Sequence, residues 1–233
     1  MNLSSMSFLR NVRARQSRQF AVIGLGRFGR AVCETLHKLG YEVLGTDVDE
    51  KRVCDILNSG VAAHAIQLDS TEPFALKEAG IFEFDTVIVA IGNYLQESII
   101  TTLNAKEGGV HFVVAKASSD VHAKLLRRVG ADHVVLPEHE AGTALARSLT
   151  KPGILDRFDL DPEHSIVEIS VPESFDNKTI VELQLRTRYG LNVLAIAEQD
   201  QKFDINPSPD RKLQKGNMLV VIGNTADIDR LPL

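Results

Sequence analysis

Three glycines, Gly24, Gly26 and Gly29, follow the short apolar run 20–23 and read F-A-V-I-G-L-G-R-F-G. Their G-x-G-x-x-G spacing is that of a phosphate-binding turn between a first strand and a first helix. Gly24 permits a tight turn. Gly26 lets a pyrophosphate approach the backbone. Gly29 lets the helix pack close to the sheet. The N–H groups at the helix start then face the phosphates. A strand pattern precedes the glycines and a helix pattern follows them, so the context supports the motif. Asp47 stands at the end of the next apolar run, 41–46, where a carboxylate can accept the ribose hydroxyls of an adenosine.

The periods downstream alternate as in a βαβ chain. Strands are expected at 20–23, 41–46, 63–68, 86–91, 111–115 and 134–136. Helices are expected at 27–39, 50–58, 72–79, 95–107 and 121–129. The run T-V-I-V-A-I at 86–91 is apolar throughout, as at the centre of a parallel sheet covered on both faces. These elements make a complete Rossmann-like, doubly wound α/β lobe over residues 19–137.

A helix at 138–149 follows, broken at 151–153. Ile154, Leu155, Phe158 and Leu160 form a second apolar segment, expected to complete a pair of crossover helices over 138–160. The pair would cross to another subunit or form a lid on its own sheet. Residues 161–233 make a smaller α+β lobe. Its strands are expected at 165–171, 191–197, 202–205 and 218–222, with a turn at Gln199 and Asp200 and helices at 177–183, 185–189 and 225–230. A core of this size is marginal alone, which favours pairing of two copies.

The 233 residues carry a net charge of −5, which gives no reason to expect a nucleic-acid partner. Cys33 and Cys54 fall within helices and are expected to be buried thiols in a reducing compartment. No apolar run is long enough to span a membrane, and the N-terminus lacks the apolar core of a signal peptide. Residues 1–18 hold Arg10, Arg13, Arg15 and Arg18 and no acid, with Leu3, Met6, Leu9 and Val12 near helical spacing. This basic arm reads either as a solubilising tail or as an amphipathic segment for anionic lipid or a partner.

The seven histidines form no metal-binding set, and no nucleophile motif is present. Nothing demands turnover. Arg27, at a helix start, calls for a compensating anion, which a polyphosphate would supply. Lys116, Asn93 and Tyr94 fall at the carboxyl edge of the sheet, where ligands bind. Asp69 ends the third strand and either touches ligand or caps the next helix. Glu138 begins a helix, where a carboxylate is favoured in any case. A small NAD-dependent oxidoreductase would share the glycines and Asp47, but it needs a proton-transfer residue that the sequence does not place. An NAD(H)-sensing scaffold without a channel partner is a further alternative.

The combination of G-L-G-R-F-G-R, T-D-V-D-E, V-I-V-A-I-G-N, L-L-R-R-V-G-A-D, V-L-P-E and S-I-V-E-I resembles the cytosolic regulatory subunits of bacterial Trk/Ktr potassium uptake systems. These are RCK proteins, with a TrkA-N lobe and a TrkA-C lobe, and the similarity covers roughly residues 19–230. The resemblance implies homodimers assembled into an octameric ring beneath a membrane potassium-translocating subunit of the KtrB/TrkH type. It implies ATP or ADP at the N-lobes, with NAD(H) possible. By matching motifs, Gly24, Gly26 and Gly29 would cradle the phosphates, with Phe28, Asp69, Gly92, Asn93 and Lys116 as the further candidates for the nucleotide site. Arg27 would reach the terminal phosphate and Asp47 the ribose. Glu138 would help hold a divalent or monovalent cation beside ATP. Arg186 and Asn192, in R-T-R-Y-G-L-N, match positions that contact cyclic di-AMP in some relatives.

Overall fold

The computed structural model describes residues 18–62, 64–151, 153–198 and 202–232. The basic arm apart from Arg18, the turn at Gln199 and Asp200, and Ala63 at the start of the expected third strand lie outside them. The chain divides into two compact units after Glu140.

The first unit is a six-stranded parallel sheet. Its strands are β1 (Phe20–Ile23), β2 (Val43–Asp47), β3 (His64–Gln67), β4 (Thr86–Val89), β5 (Phe112–Lys116) and β6 (His133–Val135). Their order is β3-β2-β1-β4-β5-β6, so the sheet is doubly wound and reverses direction between β1 and β4. Alternate residues feed two separate apolar cores. Ala21, Ile23, Val87 and Val89 enter one, and Val22, Val43 and Ile88 enter the other. This two-sided burial explains why these strands read as unbroken apolar runs.

The covering helices are α1 (Arg27–Lys38), α2 (Glu50–Asn58), α3 (Pro73–Glu78), α4 (Leu95–Glu107) and α5 (Asp120–Arg128). Asp49 caps α2 by accepting the Lys51 N–H at 3.0 Å, and Ser119 caps α5 through the His122 N–H at 3.2 Å. Helix α4 buries polar side chains, which weakens its amphipathic pattern. Ser70 and Thr101 share a hydroxyl hydrogen bond of 2.7 Å, and Asn104 donates to the Thr71 carbonyl at 3.0 Å. This seam ties the loop after β3 to α4.

Helix α6 (Pro137–Thr150) leads into the second unit, an antiparallel five-stranded sheet. Its strands are β7 (Ile154–Asp159), β8 (His164–Ser170), β9 (Asn192–Ala197), β10 (Asp204–Ile205) and β11 (Met218–Asn224), in the order β10-β9-β11-β8-β7. Short helices α7 (Ile180–Leu183), α8 (Leu185–Tyr189) and α9 (Thr225–Ile228) complete it. Thr179 and Glu182 form a reciprocal capping box at the start of α7. Ser165, Val167 and Ile169 of β8 are buried while their neighbours are half-exposed or exposed, the alternation of a one-sided core.

Two expectations fail here. The second crossover helix is instead β7, an edge strand paired antiparallel with β8, with Phe158 opposite Ile166 and Arg157 opposite Val167. The apolar spacing at 154, 155 and 158 imitates a helix. Six residues beside an open strand edge gain more from ladder hydrogen bonds than from a short helix. The second correction is Cys54, which is exposed on α2, whereas Cys33 is buried and its thiol is pushed up to about 12 by desolvation.

Candidate functional site

The turn after β1 shows what each glycine does. Gly24 has φ +98°, donates its N–H to the Thr46 carbonyl at 2.7 Å, and lies so close to Ala90 that a Cβ would come within 3.1 Å of its carbonyl carbon. A Cβ on Gly29 would overlap the Gly24 carbonyl oxygen. Both glycines are demanded by the chain itself. Gly26 differs. Its backbone is extended, and a Cβ there would meet no atom within 4 Å. The fold does not need a glycine at that position, but a ligand lying against the turn would. The first helical hydrogen bond runs from Arg30 N–H to Gly26 O at 2.9 Å, which leaves the N–H groups of Arg27, Phe28 and Gly29 ahead of the ladder. The first turn of α1 holds no acidic residue, and Arg27 is exposed there. The donor set suits a polyphosphate.

Asp47 is nearly buried at the carboxyl end of β2, 6% exposed. Its Oδ2 accepts the Leu25 N–H at 2.7 Å, and its Oδ1 accepts the Asp49 N–H at 2.9 Å. Arg52 Nη1 reaches Oδ2 at 3.3 Å. The carboxylate therefore clamps the glycine turn from the neighbouring strand. It also stands where an adenosine ribose lies in this class of sheet.

On the other side of the turn, Lys116 ends β5. Its side chain is 12% exposed, with the ammonium 2.6 Å from Glu138 Oε1 and 5.7 Å from the centre of the Phe28 ring. Gly92 leaves room for it, since a Cβ there would come within 2.9 Å of Lys116 Nζ. The Lys116 hydrogen bond first, then the Glu138 backbone N–H and the charges of Lys116 and Arg27, hold the Glu138 carboxyl below the usual range. Gly92, Phe28, Lys116 and Glu138 thus come together, with Arg27 near enough to act on Glu138.

Asp69 is exposed and is engaged by its own loop. Its carboxylate accepts the Thr71 N–H at 2.9 Å and the Thr71 hydroxyl at 2.7 Å, which lowers its pKa. Asn93 is exposed just beyond β4. Among the described residues no cluster of three or more His, Cys, Asp or Glu side chains could hold a metal ion. A cation at Glu138 would need phosphate oxygens as its remaining ligands. In the second unit Arg186 and Asn192 are both exposed. Their chain neighbours are joined, with the Leu191 N–H bonding Leu185 O at 3.2 Å.

Sequence reasoning missed Arg52, whose contact with Asp47 spans a strand end and the following helix. His122, by contrast, is fully buried in α5 against Ser118, with its pKa lowered by desolvation, and its burial is not readable from the sequence.

The model of the TrkA-N domain matches residues 20–137, and that of the TrkA-C domain matches residues 166–231. The chain belongs to the TrkA-N/TrkA-C (RCK) family. Ktr system potassium uptake protein C of Bacillus subtilis (strain 168) is 40% identical over 213 residues, covering 91% of this chain and 95% of that protein. Ktr system potassium uptake protein A of the same organism is 39% identical over 215 residues, covering 92% and 96%. The solved GsuK channel bound to NAD superposes with a TM-score of 0.53 at 25% identity, over 92% of this chain and 38% of that one. This RCK protein is thus homologous to proteins of the Ktr and Trk potassium uptake systems, a family resemblance that does not favour the oxidoreductase alternative. Among the described residues no helix is long and apolar enough to cross a membrane.

Proposed function

We propose that the protein is a cytosolic, adenine-nucleotide-sensing subunit that gates a membrane potassium-translocating partner. The observation that carries the reading is Gly26, a glycine that the fold does not require, open at a helix start and flanked by the Asp47 clamp and by Lys116. Phosphates would lie along the N–H groups of α1, with Arg27 at the terminal phosphate and the ribose at Asp47. ATP, ADP and NAD(H) share the adenosine diphosphate core that these groups address. A cation bound with ATP would share Glu138 with the phosphates.

Gating requires that ligands prefer one assembly shape, because a ligand of equal affinity shifts nothing. The γ-phosphate adds charge at Arg27 and so can separate ATP from ADP. The working assembly is a ring of dimers, an octamer, seated beneath the membrane subunit. Cyclic di-AMP at Arg186 and Asn192 would be a second input. The relatives named as Ktr potassium uptake proteins support the partner class.

Calorimetric titration with ATP, ADP, NADH and cyclic di-AMP, beside light scattering for mass, tests this. Binding of ATP and ADP by an octamer, followed by co-purification with a potassium-translocating subunit, is the expected result. Failure to bind any adenine nucleotide would overturn it.

A further inference from the structure

His122 Nε2 is buried without a hydrogen-bond partner among the described residues, on a side chain 0% exposed in the first turn of α5. The other ring nitrogen is engaged. The Ser118 N–H points to Nδ1 at 3.3 Å, and the Ser118 hydroxyl lies at the same distance. An amide N–H can only donate, so Nδ1 carries no proton and the neutral ring keeps its hydrogen on Nε2. The His122 backbone N–H in turn donates to Ser119 Oγ at 3.2 Å. Ring and backbone thus both hold segment 118–119.

Ser118 follows Lys116 by two residues, and the Lys116 ammonium stands 2.6 Å from Glu138 and over the Phe28 ring. Between them, the Ala117 N–H is tied to the Val135 carbonyl at 2.9 Å. The chain is therefore pinned at Ala117 and Ser118 in succession, which fixes the direction in which Lys116 leaves β5. A proton on Nδ1 would set a donor against the Ser118 N–H and put a charge in a buried site. Helix α4 and strand β6 pack on α5. The polar side chains that α4 buries, Ser98, Thr101, Thr102 and Asn104, are uncharged. Glu97 of α4, His133 of β6 and Asp120 and Lys124 of α5 itself are exposed, and Lys106 of α4 is bound to Asp132. Burial pushes the His122 pKa below the ordinary histidine value.

We propose that His122 is a positioning residue for Lys116, holding the phosphate side of the site in place only while its ring is neutral, so that acid weakens nucleotide binding. The inference rests on the nucleotide reading of the glycine turn and of Lys116. Nucleotide binds the neutral form better. Affinity is therefore full above the ordinary histidine value, near pH ~6.5, and falls as pH drops through the lower value of the folded ring.

ADP titrated into the full chain at pH ~7.5 and at pH ~5 should lose about threefold more affinity, or over, in the wild type than in His122→Asn. Asparagine keeps an acceptor for the Ser118 N–H but does not titrate, and protonation of the ADP phosphate is common to both proteins. His122→Leu, which has no acceptor, should weaken ADP about threefold at pH ~7.5. In a Lys116→Met background that loss should vanish, because nothing is left to position. In the wild type, saturating ADP should lower the midpoint of the His122 imidazole followed by NMR.

Parallel pH profiles in the wild type and His122→Asn would overturn the assignment. So would an undiminished effect of His122→Leu without Lys116, or an imidazole midpoint that ADP does not move. Each of these leaves the nucleotide reading standing. Should the wild type bind no ADP at either pH, the nucleotide reading itself fails and this role falls with it.

Discussion

The two lobes spend their glycines and charges differently. In the first, the central strands β1, β2 and β4 of a parallel sheet are largely buried, and the glycine turn at their carboxyl edge is held by close backbone contacts. Gly24 and Gly29 leave that turn no room for a Cβ, and the Asp47 carboxylate clamps it through the Leu25 N–H. In the second, an antiparallel sheet carries a side-chain network that runs from the edge strand β7 to its neighbours. Arg157 joins Asp159 at 2.7 Å with the Ser165 and Thr225 hydroxyls, both at 3.0 Å. The comparison teaches that a binding edge built on backbone fit tolerates almost no added atoms. A side-chain network of partly exposed charges gives way gradually.

The largest effect should come from Gly29→Ala, whose methyl would overlap the Gly24 carbonyl oxygen. A loss of about 3 kcal/mol or more in denaturant melts is expected. A loss under about 1 kcal/mol would show that the turn adapts as easily as the second lobe. Next, Asp47→Ala removes acceptors from the Leu25 and Asp49 N–H groups and should cost about 2 kcal/mol, along with affinity for every adenosine ligand. Unchanged ADP affinity in that variant would take Asp47 out of the ribose site.

Gly26→Ala sharpens the contrast. The protein has open space there, so stability should stay within about 0.5 kcal/mol while ADP affinity falls about tenfold. Equal loss of stability at Gly26 and Gly29 would erase the distinction between ligand-facing and chain-facing glycines. Arg27→Ala should weaken ATP more than ADP, read by titration of both. Equal weakening would remove Arg27 from the terminal phosphate.

The smallest effect is an acid one in the second lobe. The Ser165 hydroxyl, then Arg157 and Arg147, hold Asp159 far below the usual carboxylate range. A depressed folded-state value means the stabilisation is present above the unfolded value, near pH ~4, and is lost as pH falls below it toward the folded value. Melting temperature should therefore fall less steeply below pH ~4 in Asp159→Asn than in the wild type. Because Asp159 is 39% exposed, solvent screening keeps this effect modest. Identical slopes would mean the network contributes nothing measurable.

Much of the first lobe was legible because its signals are local. The run F-A-V-I, the glycine spacing and the helix periods each fall within a dozen residues and predict the alternating strands and helices of the doubly wound sheet. Position 154–159 was misread because its apolar spacing is also local, while the partner that makes it a strand lies in β8. Lys116 and Glu138 were each placed near the ligand edge. Their mutual ion pair, across 22 residues, was not visible.

From its own order of residues, then, this chain declares a phosphate-binding turn, a doubly wound sheet, a second smaller lobe and the family to which these belong. Those features follow from periodicity, glycine placement and short motifs, all set by neighbours along the backbone. The tertiary structure alone decides that two of the three turn glycines serve the fold and one faces outward. It alone decides that Asp47 is committed to Leu25, Asp49 and Arg52, and that α4 packs through a polar seam. Such outcomes depend on which groups distant in sequence meet at hydrogen-bonding distance. No local period encodes that meeting; only the packed sheet brings it about.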